Sequence, residues 1–506
     1  MKLKNILGAL LMGTLAFSAT SCSLDYDPVS SYSDVTEGVA ENGKEVVFKD
    51  KAAVDAQLEA IYNRLKEQEH WYTDKLMIAE CHSDNAYAGS FGAEILPFED
   101  NSLDGTNSIM ERDWNRYLND VGLANKLVIY ADSVADKSLS EAEIKRYKAQ
   151  GMIFRSLIFF DMVRIWGNIP VVTQIAPDIT SENFDEVYPL YFPKQTPEID
   201  TYKQIESDLL YAVENAPNID HSNKRLMTKT VARALLAKVY AEKPLRDYDK
   251  VIKYSNEVAA DGVDLVDDFS LLFGMNDEVT DIKARNTKES ILEAQFVTGG
   301  GNWCSWMFGR NLLNWDEQFS WAKWVTPSRD LIKLYQTEGD VERYEESVVY
   351  YACGWNYYYP KDNYAFMYKC RSSNSSIIRL RYADILLLKA EALIMKASPE
   401  LSAAADIIDK VRTRAKLAKL PSTVKSSKDS MLDALLKERR MELAFEGERW
   451  FDLVRLDKVE STMNAVYGKD SGRRPIQVSF TQNSYRLPIP LAVIQVNSNL
   501  VQNEGY

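Results

Sequence analysis

The chain has 506 residues and a mass of 57.7 kDa, with 46% hydrophobic and 26% charged residues, a globular composition and not a disordered or fibrous one. Lys and Arg number 60 against 74 Asp and Glu, so the net charge is −14 at pH 7. A surface this acidic repels phosphate backbones and argues against a nucleic-acid binder, and three histidines leave little for a His-rich metal site or a histidine-based catalyst.

The N-terminus is addressed for export. Residues 1–5 are basic, and Ile6 to Ala19 is an apolar run too short to span a bilayer, which needs about 20 residues. It fits the apolar part of a secretory signal. Ala19-Thr20-Ser21-Cys22 then resembles a bacterial lipobox, which makes Cys22 the expected lipid anchor, with 1–21 the signal peptide and 22–50 a polar leader. Stable anchoring takes more than one acyl chain. A plain secretory signal with Cys22 a bystander is the alternative. No other run reaches 18 apolar residues, so the expected membrane contact is the lipid alone. Cys81, Cys304, Cys353 and Cys370 show no CxxC spacing; outside the cytosol they could pair in any of three ways.

The body reads as helix pairs. Ala52–Glu69 spaces Val54, Leu58, Ile61 and Leu65 three or four apart, the spacing of one helical face. Further helices are predicted over Arg112–Val134, Glu143–Trp166 (stopped by Gly167 and Pro170), Ile199–Glu214, Thr228–Glu242, Tyr248–Ala260, Arg379–Met395 and Ser402–Leu417. Ala232, Ala234, Ala237 and Ala241 would let one helix approach its neighbour closely. The expected fold is mainly α, with tetratricopeptide-like helix pairs. The pairs fall into an N-terminal part, 51–262, and a C-terminal part, 379–506, within one intertwined unit.

Between them lies an aromatic-rich insertion, 263–378, with one short predicted strand at Ser290–Val297. Six of the ten tryptophans fall between Trp303 and Trp355. Gly299-Gly300-Gly301 leads into them and is no phosphate loop, since no Gly-Lys-Ser/Thr follows. A calcium loop of the Asp-x-Asp-x-Asp-Gly type is also missing, and the sequence asks for no metal and no cofactor.

The C-terminal text carries a family resemblance. Glu438 to Arg455 (ERRMELAFEGERWFDLVR) and the end, Leu487-Pro488-Ile489-Pro490 followed by Asn499 to Tyr506, resemble the signature of the SusD/RagB outer-membrane lipoproteins. Leu24 to Pro28, Arg155 to Pro170, Ile205 to Leu209, Arg381 to Asp384, Lys389 to Ala392 and Val411 to Ala415 match in the same order. Ser498 and Glu504 stand where the family often has proline. The resemblance implies a helical, tetratricopeptide-containing fold with a loop-rich, less regular ligand-binding half, and outward-facing attachment at the bacterial outer membrane. It also implies nutrient capture beside a SusC-like TonB-dependent barrel transporter, with oligosaccharide the usual ligand.

Candidate site residues follow from chemistry. Trp303, Trp306 and Trp315 lie in a Gly- and Asn-rich stretch that offers no helix face to bury them, so ligand contact is expected there. In the family the stretch after the first helices lies near the ligand face, which makes Asp84, Asn85 and Tyr87 the expected polar contacts. Trp324, in Trp324-Val325-Thr326-Pro327, is expected to be core. Glu438, Glu442 and Glu446 recur at i, i+4 and i+8. Such acids invite a glycosidase reading, but the nearby Arg439, Arg440, Arg449 and Arg455 favour ion pairing instead. Cys81-His82 has no triad context. The leading function is therefore a non-catalytic glycan-binding lipoprotein with no catalytic residue. The alternatives are peptide capture on the same scaffold, a secreted glycoside hydrolase, and a helical scaffold without a small ligand.

Overall fold

The computed structural model describes residues 47–89, 92, 94–135, 137–297, 301–304, 324–354 and 357–506. Helix α1 is Lys51–Arg64, followed by π turns at Glu69–Thr73 and Met77–Cys81 and strand β1, Ala86–Ala88. Then come α2 (Ser108–Tyr130), α3 (Glu141–Trp166), α4 (Phe184–Tyr191), α5 (Glu198–Asn215), α6 (Lys229–Ala241) and α7 (Tyr248–Ala260). The middle holds β2 (Ser290–Ala294), β3 (Val325–Pro327), α8 (Arg329–Glu338), α9 (Val341–Ser347), β4 (Val348–Tyr351), β5 (Tyr364–Met367) and β6 (Ile377–Arg381). Helices α10 (Tyr382–Met395), α11 (Leu401–Arg414), α12 (Lys428–Glu442), α13 (Arg449–Arg455) and α14 (Leu491–Val496) complete the order.

The helices stack as sequential pairs. Helix α3 packs on α2 and α5, α5 on α6, α6 on α7, α7 on α10, and α10 on α11 and α12. The start of α3 is set by a capping box: Ser140 Oγ accepts from Glu143 N, and the Glu143 side chain reaches back to Ser140 N. Its end is set by Gly167 at φ 74°, as the sequence predicts. The alanines of α6 are buried, which lets α6 run close to its neighbours. Helix α10 is buried almost all round. One continuous apolar core runs from Phe48 to Leu500. The strands form three two-stranded antiparallel ribbons, β1 with β3, β2 with β6, and β4 with β5.

Two predicted boundaries shift for a reason visible in the backbone. The first helix stops at Arg64, five residues early, because Lys66 N and Glu67 N bond back to Asn63 O and Arg64 O, tightening the last turn. Ile377–Arg381 is a strand and not the first turn of α10, since these residues pair with β2. The Glu438–Arg455 text is two helices. It breaks where Phe445 (φ 62°) and Gly447 (φ 83°) adopt left-handed backbone.

Cys81, Cys304, Cys353 and Cys370 are all buried, and among the described residues Cys81, Cys304 and Cys370 form no disulfide. No described helix is long and apolar enough to cross a membrane. Cys22 and the export signal lie outside the described residues.

Candidate functional site

The end of α1 and the middle of α2 form the walls of a polar cleft of about 410 Å³, lined by Arg64, Lys66, Gln68, Arg116, Asn119 and Trp303, with Glu67 and Glu69 beside them. Trp303 belongs to a stretch held by two buried side chains, Gln68 and Asn302, the latter donating its Nδ2 to Ser375 O at 2.6 Å. Gln68 Oε1 accepts from Trp303 N at 2.8 Å and Cys304 N at 3.1 Å, while Gln68 Nε2 donates to Gly301 O at 3.1 Å. Gln68 is itself buried, so this clamp is fixed before any ligand arrives. The Trp303 ring is half-buried, packed on the core on one side and lining the cleft on the other.

The cleft floor rests on a buried polar group. Asp120 Oδ2 accepts from His70 Nε2 and Trp71 Nε1, both at 2.9 Å, and Arg64 Nε lies 3.0 Å from Oδ1. Burial pushes the Asp120 carboxyl up to about 7 against the pull of Arg64. Burial also pushes His70 down to about 3, so its imidazole is neutral. Arg64 pairs with Glu67 and Arg116 with Glu69, so the cationic side chains at the mouth are largely matched by acids. The cleft therefore offers hydrogen-bond donors and acceptors beside a flat ring, without a strong net charge. That suits a neutral, hydroxyl-rich ligand.

The other expected polar contacts are elsewhere. Asp84, Asn85 and Tyr87 are inside the protein, at 4%, 0% and 0% exposure. Asp84 takes Arg449 Nε at 2.7 Å and Nη2 at 3.0 Å, with Arg440 Nη1 at 3.2 Å. Asn85 bridges Glu80 and Arg440. Tyr87 Oη donates to Asp470 and accepts from Arg329 N at 2.8 Å. The three residues fasten β1 to the C-terminal half instead of facing a ligand. The reason is electrostatic: the arginines of α12 and α13 need buried acceptors, and this stretch supplies them. Trp306 and Trp315 lie outside the described residues. Trp324 is half-buried against the core, and its carbonyl accepts from Gly89 N at 3.2 Å.

The glutamate ladder is an ion-pair cluster, but its partners are not the neighbouring arginines. Glu438 and Glu442 share Arg343 Nη1 at 2.7 and 2.9 Å. Glu442 also meets Arg381 at 2.6 Å and Arg414, and Glu446 meets Arg381 and Lys369. Burial raises the Glu442 carboxyl, but Arg414, Arg381 and Arg343 outweigh it and hold it well below the usual carboxylate range. The nearby arginines serve other acids: Arg439 takes Asp384 and Asp452, Arg440 takes Asp84 and Asp330, and Arg455 takes Glu391 and Asp452. With every glutamate of the ladder engaged, none is free to act as acid or base.

Gln68, Arg64, Arg116 and Asn119 escaped the sequence reading. They sit on helical text that reads as solvated surface, and only the packing of α1 on α2 brings them to Trp303.

Two family models match the chain: one described as the SusD family, over residues 354–506, and one described as starch-binding associating with outer membrane, over 29–241. Among curated relatives, SusD-like protein P2 of Formosa agariphila is 25% identical, with 91% of this chain and 94% of that protein covered. A SusD-like protein of Bacteroides ovatus is 26% identical, with 88% and 81% covered. The fold is shared with a laminarin binding SusD-like protein at TM-score 0.70 and 23% identity, covering 91% of this chain and 100% of that one. It is also shared with surface glycan-binding protein A from Bacteroides thetaiotaomicron in complex with laminarihexaose, at TM-score 0.70 and 18% identity, covering 90% and 99%.

Proposed function

The chain belongs to the SusD family, and from that premise we propose that it is a non-catalytic surface lipoprotein that captures oligosaccharide and passes it to a TonB-dependent outer-membrane transporter. The observation that carries the binding half is the Trp303 cleft, where Gln68 clamps the Trp303 backbone and Arg64, Arg116 and Asn119 share the lining with its ring. Sugars present C–H faces that lie on aromatic rings and hydroxyls that bond amides and guanidinium groups. Charge matching at the cleft mouth favours a neutral glycan over an acidic one. Two fold relatives are described with laminarin or laminarihexaose, so glucans of that type are the first ligands to try. Cys22 is the proposed lipid anchor, and Trp306 and Trp315 remain proposed ligand contacts. Capture without cleavage agrees with the engaged state of Glu438, Glu442 and Glu446. Delivery to the barrel transporter rests on family membership.

The test is a glycan array run beside a peptide pool, followed by a reducing-end assay on the best-binding polysaccharide. Binding to glycans without new reducing ends supports the proposal. Binding to peptides alone, or turnover of the polysaccharide, overturns it.

A further inference from the structure

A second concavity lies on another flank of α2. It has a volume of about 260 Å³, and its walls come from α2 (Trp114, Leu118), the segment after α3 (Val171, Val172), the end of α4 and the C-terminal α14. The walls are fixed. Tyr191 Oη donates to Pro177 O at 3.1 Å, Asn497 Nδ2 to Pro193 O at 2.9 Å, and Asn499 Nδ2 to Phe192 O at 2.8 Å. The apolar surface continues outside the pocket. Phe184 and Tyr188 on α4 and Phe192 just past its end recur every fourth residue, with ring centroids 5.0 and 4.8 Å apart. Phe184 and Tyr188 are 49% and 44% exposed, and Val496 on the opposite wall is 58% exposed. A contiguous apolar face of this kind marks a contact site.

Two observations say what covers it. Residues 170–173 belong to no helix or strand, and among the described residues no protein acceptor takes the backbone N–H of Val171 or Thr173; Val172 O alone is engaged, by Asn125 Nδ2 at 3.0 Å. A segment outside any helix, with free donors beside an apolar pocket, suits an extended chain that supplies the missing pairs and puts one side chain in the pocket. The rim charge selects the partner. Between residues 177 and 194 the charged groups are Asp178, Glu182, Asp185 and Glu186 against Lys194, all exposed. Such a rim repels anionic lipid headgroups and attracts a cationic segment.

We propose that this pocket docks an extended protein segment that carries one aliphatic or aromatic anchor between lysine or arginine residues. The occupant pairs its backbone with residues 171–173, seats its anchor against Trp114 and Leu118, and places its cations beside Asp178 and Asp185. The inference stands on its own observations and does not depend on the glycan reading.

The probe is a short synthetic peptide with phenylalanine between two lysines, titrated into the full chain and followed by fluorescence anisotropy. Saturable binding is expected. Replacing phenylalanine by alanine, or both lysines by glutamate, should weaken it by roughly tenfold or more. Val496→Asp, at an exposed position, should abolish it. Asp185→Lys with Glu186→Lys, both on the solvent side of α4, should turn the preference toward the glutamate peptide. Circular dichroism unchanged in both variants keeps the result attributable to the pocket. Absence of binding by every peptide, equal binding of all three, or flotation of the protein with anionic lipid vesicles that Val496→Asp prevents would each overturn the proposal.

Discussion

Asp84 and Arg449 form a two-pronged ion pair across 365 positions of chain, with Asp84 Oδ1 2.7 Å from Nε and Oδ2 3.0 Å from Nη2. Burial raises the Asp84 carboxyl, but Arg440 and Arg449 outweigh it and hold the group well below the usual range, so it is ionised whenever the protein is folded. Removing its charge leaves two guanidinium groups buried with less compensation. Asp84→Asn should cost about 3–5 kcal/mol in urea unfolding. Glycan affinity of the folded fraction should be unchanged, since the residue faces the protein interior.

Gly447 sits at φ 83° between α12 and α13, and a Cβ there would meet Lys75 Cε at 3.4 Å. The contact is ordinary; the backbone is what glycine permits. Gly447→Ala should lower stability by about 1 kcal/mol or more through strain alone. Thermal melting checks it, and an unchanged melting point would show that the turn relaxes.

Gln68→Ala should loosen Gly301 to Cys304 without touching a ligand directly. The expected result is a fall in glycan affinity of roughly tenfold, comparable to loss of one good contact. Calorimetry should show it as a larger unfavourable entropy of binding, because the loop must then be ordered by the ligand.

Asp120 and Glu80 should make stability fall as pH rises toward 7, opposed below pH 6.5 by His70 and His82, which burial holds down to about 3 and about 4. Burial raises Asp120 from 3.8 and Glu80 from 4.5, each to about 7. The folded chain then keeps protons that the unfolded chain releases. Stability from these two groups is fully present below their unfolded values and is lost as pH rises through 7. On the acid side, Asp161 is held down to about 2 and Glu442 well below its usual value. For Asp161, burial acts upward and Lys75 and Arg164 prevail. Their contribution is present above pH 4 and is lost as pH falls through their folded values. Asp120→Asn should make the slope of stability from pH 4 to 7 more positive by up to about 1.4 kcal/mol per pH unit, read by urea unfolding at each pH.

The helix pairs were legible because each carries a continuous apolar stripe and a stop such as Gly167, and both are local features. The recurrence of Glu438, Glu442 and Glu446 reads as one helical face, and the left-handed backbone of Phe445 breaks it before Glu446, which spacing alone does not show. The ladder's ion pairing was legible as a type of interaction and not as a set of partners. Arg343, Arg381 and Arg414 lie on other elements, and no spacing rule links them to Glu442. Trp303 stood out as an aromatic in loop text. Its clamp, Gln68, did not, because one glutamine between charged residues carries no pattern. Asp84, Asn85 and Tyr87 read as loop polarity, whereas burial against α12 and α13 turned them into internal fasteners.

In the proposed function, Trp303 presents a ring to glycan in a cleft that binds without cutting. Calorimetric titration of laminarihexaose, or of the best oligosaccharide from the array, into the wild type and Trp303→Ala tests it most directly. Affinity should fall by about ten- to hundredfold in the variant, equivalent to about 1–3 kcal/mol, with thermal stability little changed. Equal affinity in a well-folded variant, or a variant that melts far lower while the folded fraction binds as before, would contradict the account.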